Sequence, residues 1–179
     1  ALDIPRAVEN FRFFATRSLH FEGRSSSMDG TAINYTLHSP LGVAALISPW
    51  NLPLYLLTWK IAPALATGNT VIAKPSEMTS MTAFMLAEVL SEIDFPKGVC
   101  NIIFGKGDPV GSTLVSHPSV PLISFTGGTE TGRQVQVAAA EYFKKTSLEL
   151  GGKNSAIILK DADIKKAVET TVRSSFLNQ

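Results

Sequence analysis

The chain has 179 residues, the size of one domain, and its apolar fraction of 45% is enough to bury a core. Sixteen basic residues, scattered along the chain, face fifteen acidic ones. The net charge of +1 therefore gives no field that recruits nucleic acid or an anionic membrane. One cysteine excludes an internal disulfide framework and fits a reducing compartment, so a cytoplasmic location is expected.

The chain opens Ala1-Leu2-Asp3-Ile4-Pro5-Arg6, with neither an initiating Met nor a basic-then-apolar leader, and upstream residues are expected to be missing. The spacing of Ile4, Val8, Phe11 and Ala15, with Pro5 in the first turn, predicts a helix over Ile4–Thr16. His20–Gly30, with its serine triplet, reads as an exposed loop, and Ile33–His38 as a strand. Leu41–Leu65 is apolar, but Pro49, Asn51, Pro53, Lys60 and Pro63 interrupt it. It reads as strand, loop and buried helix rather than a membrane span.

From Val43 onward strand-like runs recur at Val43–Ser48, Thr70–Ala73, Val99–Phe104, Leu122–Phe125 and Ser147–Leu150, with starts about 23 to 29 residues apart. Helix-like stretches lie between them. In Thr79–Asp94 the stripe Met81, Met85, Val89 and Ile93 runs beside Leu86 and Leu90; Val110–Ser116 and Thr129–Ala140 are shorter. Ser155–Leu159 is expected to add a short strand, and Asp163–Phe176 a last helix with Ile164, Ala167, Val168 and Val172 inside. This alternation predicts βαβ units, hence an α/β fold with a mainly parallel, Rossmann-like sheet flanked by helices. Ligands of such a sheet sit beyond the C-terminal ends of its strands.

Four strings lie at those ends. In Ser48-Pro49-Trp50-Asn51-Leu52-Pro53, the Asn51 amide can donate to a developing oxyanion, or merely bond its own backbone in a Pro-flanked turn. In Lys74-Pro75-Ser76-Glu77, the carboxylate can accept ribose hydroxyls and repel a 2′-phosphate, or simply stabilise a helix start. Phe125-Thr126-Gly127-Gly128-Thr129-Glu130-Thr131-Gly132, and the glycines 105, 107 and 111, surround helix starts where phosphate can approach free N–H groups, although glycine also marks ordinary turns. In Leu148-Glu149-Leu150-Gly151-Gly152, a carboxylate beside two glycines suits a general base, or is an inert strand-end acid. Trp59 and Lys60 read equally as a packed aromatic and a snorkelling lysine. Cys100 lies in a buried strand without a basic partner and reads as structural. His20, His38 and His117 lack ligand spacing, so no metal is expected.

In this order, over nearly the whole chain, the four strings resemble the aldehyde dehydrogenase superfamily. Leu46–Lys60 and Val172–Phe176 are most similar to its 2-aminomuconic and 2-hydroxymuconic semialdehyde dehydrogenases. The resemblance implies a dinucleotide-binding domain over residues 41–179, incomplete and without the catalytic domain, and a helix with a bridging or oligomerisation strand over 1–40. It implies NAD as cofactor, with NADP also compatible. The contacts would come from Ile47, Ser48, Pro49, Trp50, Lys74, Ser76, Glu77, Gly107, Gly111, Phe125, Gly127, Gly128, Thr131, Leu150 and Gly151. Many members have Ser where this chain has Gly128, so looser pyrophosphate binding is expected. Asn51 is assigned to the oxyanion hole, Glu149 to the water that hydrolyses a cysteine thioester, and Trp59 to the substrate tunnel.

The family's nucleophile follows a segment like Phe176-Leu177-Asn178-Gln179 by a few residues, so this chain is expected to be inactive alone. The full-length parent is expected to be a homo-oligomer, dimer or tetramer, acting on a small aldehyde. The competing reading is a non-catalytic, crystallin-like binding protein on the same fold; retained Asn51 and Glu149 argue against it.

Overall fold

In the computed structural model, which describes residues 3–152 and 155–176, Val43-Ala44-Ala45-Leu46-Ile47 is the central strand, β3. It is apolar at every position because both of its faces are covered. Before it come helix α1, Asp3–Ser18, and strands β1, Ser25–Met28, and β2, Ala32–Tyr35. After it come α2 (Pro53–Ala66), β4 (Thr70–Lys74), a 3₁₀ turn at Glu77–Thr79 and α3 (Ser80–Glu92). The chain continues through β5 (Cys100–Ile102), a π-type turn at Gly107–Gly111, α4 (Ser112–Ser116), β6 (Leu122–Gly127), α5 (Thr129–Ala140), β7 (Lys145–Leu150) and α6 (Ile164–Phe176).

The main sheet has the order β5-β4-β3-β6-β7, and every pair in it is parallel. Alternation sorts its side chains into two cores. Ala44, Leu46, Val71 and Ala73 meet Leu57, Ile61 and Ala64 of α2 and Ala83 of α3 on one face. Ala45, Ile123 and Phe125 meet Leu114 and Val115 of α4 and Val135 and Ala139 of α5 on the other. The chain winds outward from β3 through β4 to β5, then returns to the opposite side of β3 as β6. That reversal puts a switch point between the C-terminal ends of β3 and β6.

α1 lies across α2. Its buried Asn10 donates to the Tyr55 carbonyl and the Thr58 hydroxyl, both at 2.9 Å. Strands β1 and β2 form a separate antiparallel hairpin.

Four expectations need correction. Ser25–Ser27 is strand rather than loop: Asp29 and Gly30, at φ 45° and 71°, close a turn that aligns Met28 with Ala32. All four β1 positions are exposed, so no apolar alternation marked it. Ser155–Leu159 joins no strand ladder, and Ile157, Ile158 and Leu159 are exposed. The Met81, Met85, Val89, Ile93 stripe of α3 is exposed, because α3 meets the sheet through small Ala83, with Leu86 packed at the margin. Finally, α6 has no buried residue among those described, so its apolar side does not form an inner face.

Candidate functional site

Strand β3 ends at half-buried Ile47, and the chain runs on through Ser48 and Pro49 to exposed Trp50 and Asn51. Ser48 is only 3% exposed, and its hydroxyl has no hydrogen-bond partner among the described residues. A buried, unpaired hydroxyl beside a switch point suits a ligand that supplies the missing bond. Next to it, β4 ends at buried Lys74. Its Nζ donates to the Pro75 carbonyl at 3.3 Å and lies 3.8 Å from Glu77 Oε2. Burial lowers the Lys74 pKa, and the Glu77 charge opposes that. The Ser76 hydroxyl accepts the Met78 N–H at 3.3 Å, which fixes the turn that carries Glu77. Gly107 is exposed at the start of its turn. Gly111 is buried, and a Cβ there would lie 3.8 Å from Cδ and Cε of Lys74.

On the other side of the switch point, Phe125 is buried and forces Gly127 to be glycine, since a Cβ there would lie 2.5 Å from the Phe125 ring. Gly128 precedes α5, and its carbonyl accepts the Gly132 N–H at 2.9 Å. The N–H groups of Thr129, Glu130 and Thr131 thus have no intrahelical partner, and nothing lies within 4 Å of where a Gly128 Cβ would be. The start of α5 is an open, partially positive cradle of the kind that holds phosphate. A Cβ at buried Gly132 would collide with the Leu150 side chain, so its absence lets α5 seat against the end of β7. Leu150 and Gly151 close that edge.

Glu149 is exposed on β7, in register with Thr126. Period-2 alternation puts it on the same sheet face as Ser147 and its register partner Ser124, the face that α2 covers. There the structure reveals a residue that the sequence left undecided. Lys60 is not a snorkelling lysine: it is 6% exposed, and its Nζ donates to Ser124 Oγ at 3.0 Å. Burial pulls its pKa down to about 8, against the opposing attraction of Glu149. Its helical spacing from Leu57, Ile61 and Ala64 was the available signal, since those residues face the sheet. Trp59 stays half exposed, edge-on to Phe14 at 5.5 Å. Cys100 is half-buried on β5, at the sheet edge opposite β7, and burial pushes its thiol up to about 11. It is no thiolate near neutrality. Among the described residues no cluster of three His, Cys, Asp or Glu could hold a metal, and no helix is long and apolar enough to cross a membrane.

The structure thus brings Ile47–Asn51, Lys74–Glu77, Phe125–Thr131 and Glu149–Gly151 to one edge of one sheet and leaves Cys100 apart. The sequence profile of the aldehyde dehydrogenase family matches residues 1–179. The chain belongs to that family. It is 63% identical to the 2-aminomuconic semialdehyde dehydrogenase of Danio rerio over 179 residues, 99% of this chain and 37% of that protein. Against the 2-hydroxymuconic semialdehyde dehydrogenase of Pseudomonas sp. (strain CF600) the identity is 47%, over 99% of this chain and 37% of that one. The fold superposes on the NAD+ complex of a Bacillus cereus aldehyde dehydrogenase with TM-score 0.92 and 39% identity, covering 96% of this chain and 35% of that one. The chain spans little more than a third of the length of the curated relatives it matches.

Proposed function

We propose that this chain is the cofactor-binding part of a longer NAD-dependent aldehyde dehydrogenase, which converts an aldehyde, NAD+ and water to a carboxylic acid, NADH and a proton. The observation that carries this reading is the placement of Glu149 at the C-terminal end of β7, on the face where Lys60 is buried, one strand from the switch point and the Asn51 loop. An anionic dinucleotide fits the residues present: the open start of α5 for its phosphates, Lys74 and Glu77 for a ribose, and the unpaired Ser48 hydroxyl beside them. When bound, the nicotinamide supplies the hydride acceptor. Glu77 favours NAD over NADP by repelling a 2′-phosphate.

Asn51 donates its amide N–H to the oxyanion that forms as a thiolate adds to the aldehyde. The adduct becomes a thioester once it has lost hydride, and Glu149 then takes a proton from the water that hydrolyses that thioester. The thiolate belongs to another part of the longer protein, because burial keeps Cys100 protonated and β5 lies at the far edge from β7. The semialdehyde-oxidising relatives support a semialdehyde substrate, the β1–β2 hairpin is the candidate oligomerisation segment, and the single cysteine fits a reducing, cytoplasmic setting.

Glu149→Gln in the longer protein separates the two halves of the reaction. One enzyme-equivalent of NADH should appear in a burst, followed by turnover slowed ~10²–10⁴-fold, with the acyl adduct visible by mass spectrometry. Turnover at the parent's rate would remove Glu149 from its role as base.

A further inference from the structure

Helix α1 buries two side chains, Ala7 and Asn10, and Asn10 sets an amide in the seam with α2. Its N–H groups donate to the Tyr55 carbonyl and the Thr58 hydroxyl, each at 2.9 Å. Neither acceptor depends on Asn10. The Thr58 hydroxyl has the Leu54 carbonyl as its own acceptor at 2.8 Å, and Tyr55 lies inside α2, where the helix ladder already uses its carbonyl. Burial of an amide is penalised by desolvation, so a leucine at this place would bind the two helices about as firmly. What the amide adds is direction, which apolar contact lacks. Its bonds are the second of two pins. The first is Asp3, whose carboxylate accepts the Leu54 and Tyr55 N–H groups at the start of α2. Asn10 lies two turns further along α1, roughly 10 Å away. One pin leaves α1 free to swing across α2, whereas two fix the crossing. On its other side α1 meets no second clamp: Ile4 and Val8 are exposed along a groove that faces Val89 and Ile93 of α3.

We propose that Asn10 is a positioning residue: it fixes the crossing of α1 on α2, holds Phe14 against Trp59, and so sets the shape of the aldehyde's path without touching the chemistry at Asn51. This rests on the reading of Trp59 as a wall of that path. Trp59 stands half exposed roughly 9 Å along α2 from the end that follows Asn51. It leans on two rings, Phe14 at 5.5 Å and Tyr55 at 6.2 Å. Tyr55 belongs to α2 and moves with Trp59. Phe14 belongs to α1, on the same face as Asp3, Arg6 and Asn10, which follow one another at helical steps of three and four. It lies roughly 16 Å along the helix from the Asp3 pin. A swing about Asp3 therefore moves Phe14 most and the Asn51 end of α2 least.

Asn10→Leu tests this by separating order from stability. In the 179-residue chain carrying 5-fluorotryptophan, ¹⁹F NMR follows Trp59, identified by its absence in Trp59→Phe. The parent should give one Trp59 line. In Asn10→Leu that line should shift and broaden or split, while the urea midpoint rises or falls by no more than about 0.5 M. In the longer protein the same change should raise the KM for the aldehyde roughly fivefold, the scale of a misplaced apolar contact, with kcat and the KM for NAD unchanged. Thr58→Val, which takes away one of the two acceptors, should change the line and the KM the same way by less. A single unshifted Trp59 line in Asn10→Leu overturns the proposal, as does an unchanged aldehyde KM where Trp59→Ala raises it. A lowered kcat, or a larger fall of the midpoint, overturns it too, because Asn10 then serves Asn51 or the stability of the fold. If Trp59→Ala leaves the aldehyde KM unchanged, the reading of Trp59 as a wall fails instead, and the ¹⁹F spectrum still decides the role of Asn10.

Discussion

Removing the carboxylate of Asp3 is expected to destabilise a helix that begins fifty residues later. The Ncap of α2 is Leu52, whose side chain makes no capping bond, and its N1 residue is Pro53, which has no N–H to satisfy. Leu56 N–H already bonds the Leu52 carbonyl at 3.0 Å. That leaves the N–H groups of Leu54 and Tyr55, and Asp3 takes both, with Oδ2 and Oδ1 each at 2.9 Å. One residue of α1 thus caps α2 from outside and places a negative charge at the positive end of the helix. A lost cap costs ~1 kcal/mol, up to ~2, and a lost charge at a helix N-terminus a further ~0.3–1 kcal/mol. Asp3 is half-buried, so water replaces its bonds only in part.

Asp3→Ala should therefore lower the unfolding free energy by about 2 kcal/mol. Asp3→Asn keeps one acceptor oxygen without the charge and should cost about 1 kcal/mol. Urea denaturation followed by far-UV circular dichroism measures both. With a slope of roughly 2 kcal/mol/M, the Asp3→Ala midpoint should fall by about 1 M. A midpoint within ~0.2 M of the parent, at equal slope, would refute the capping role. α2 starts directly after the Ser48–Leu52 loop, so the same change should loosen the placement of Asn51.

Two further outcomes can be measured. The folded pKa of Lys60, about 8, lies below its unfolded value of 10.5, so between those pH values the unfolded chain binds more protons and stability rises with pH. Burial of Lys60 costs roughly 3 kcal/mol below pH 8, and that cost disappears by pH 10.5. Lys60→Met should flatten that part of the rise in urea titrations at pH 7–10.5; a profile identical to the parent's would mean that Lys60 is not desolvated. In the longer protein, Glu77→Gln should narrow the preference for NAD over NADP, because it removes the charge that repels a 2′-phosphate while keeping a hydrogen-bonding group. An unchanged ratio of kcat/KM for the two cofactors would mean that Glu77 does not face the ribose.

What the sequence determined by itself was local. An apolar run without alternation, such as Val43–Ile47, identifies a strand buried on both faces, and the spacing of the strand-like runs implies parallel pairing, because a crossover helix must fit between them. The glycines and the polar strings at the strand ends were equally legible, since each function is carried by adjacent residues. Ser25–Met28 escaped because its strand is held by a backbone ladder and a turn rather than by a buried face. Tertiary structure alone decided the pairings that span long stretches of chain. Asp3 reaches Leu54 across 51 residues, and Lys60 reaches Ser124 across 64. The helical spacing of Lys60 from Leu57, Ile61 and Ala64 marks it as facing the sheet, but nothing in the sequence says which side chain there accepts its amine. That depends on which strand the fold slides beneath the helix, and here it is β6, next to the strand that carries Glu149.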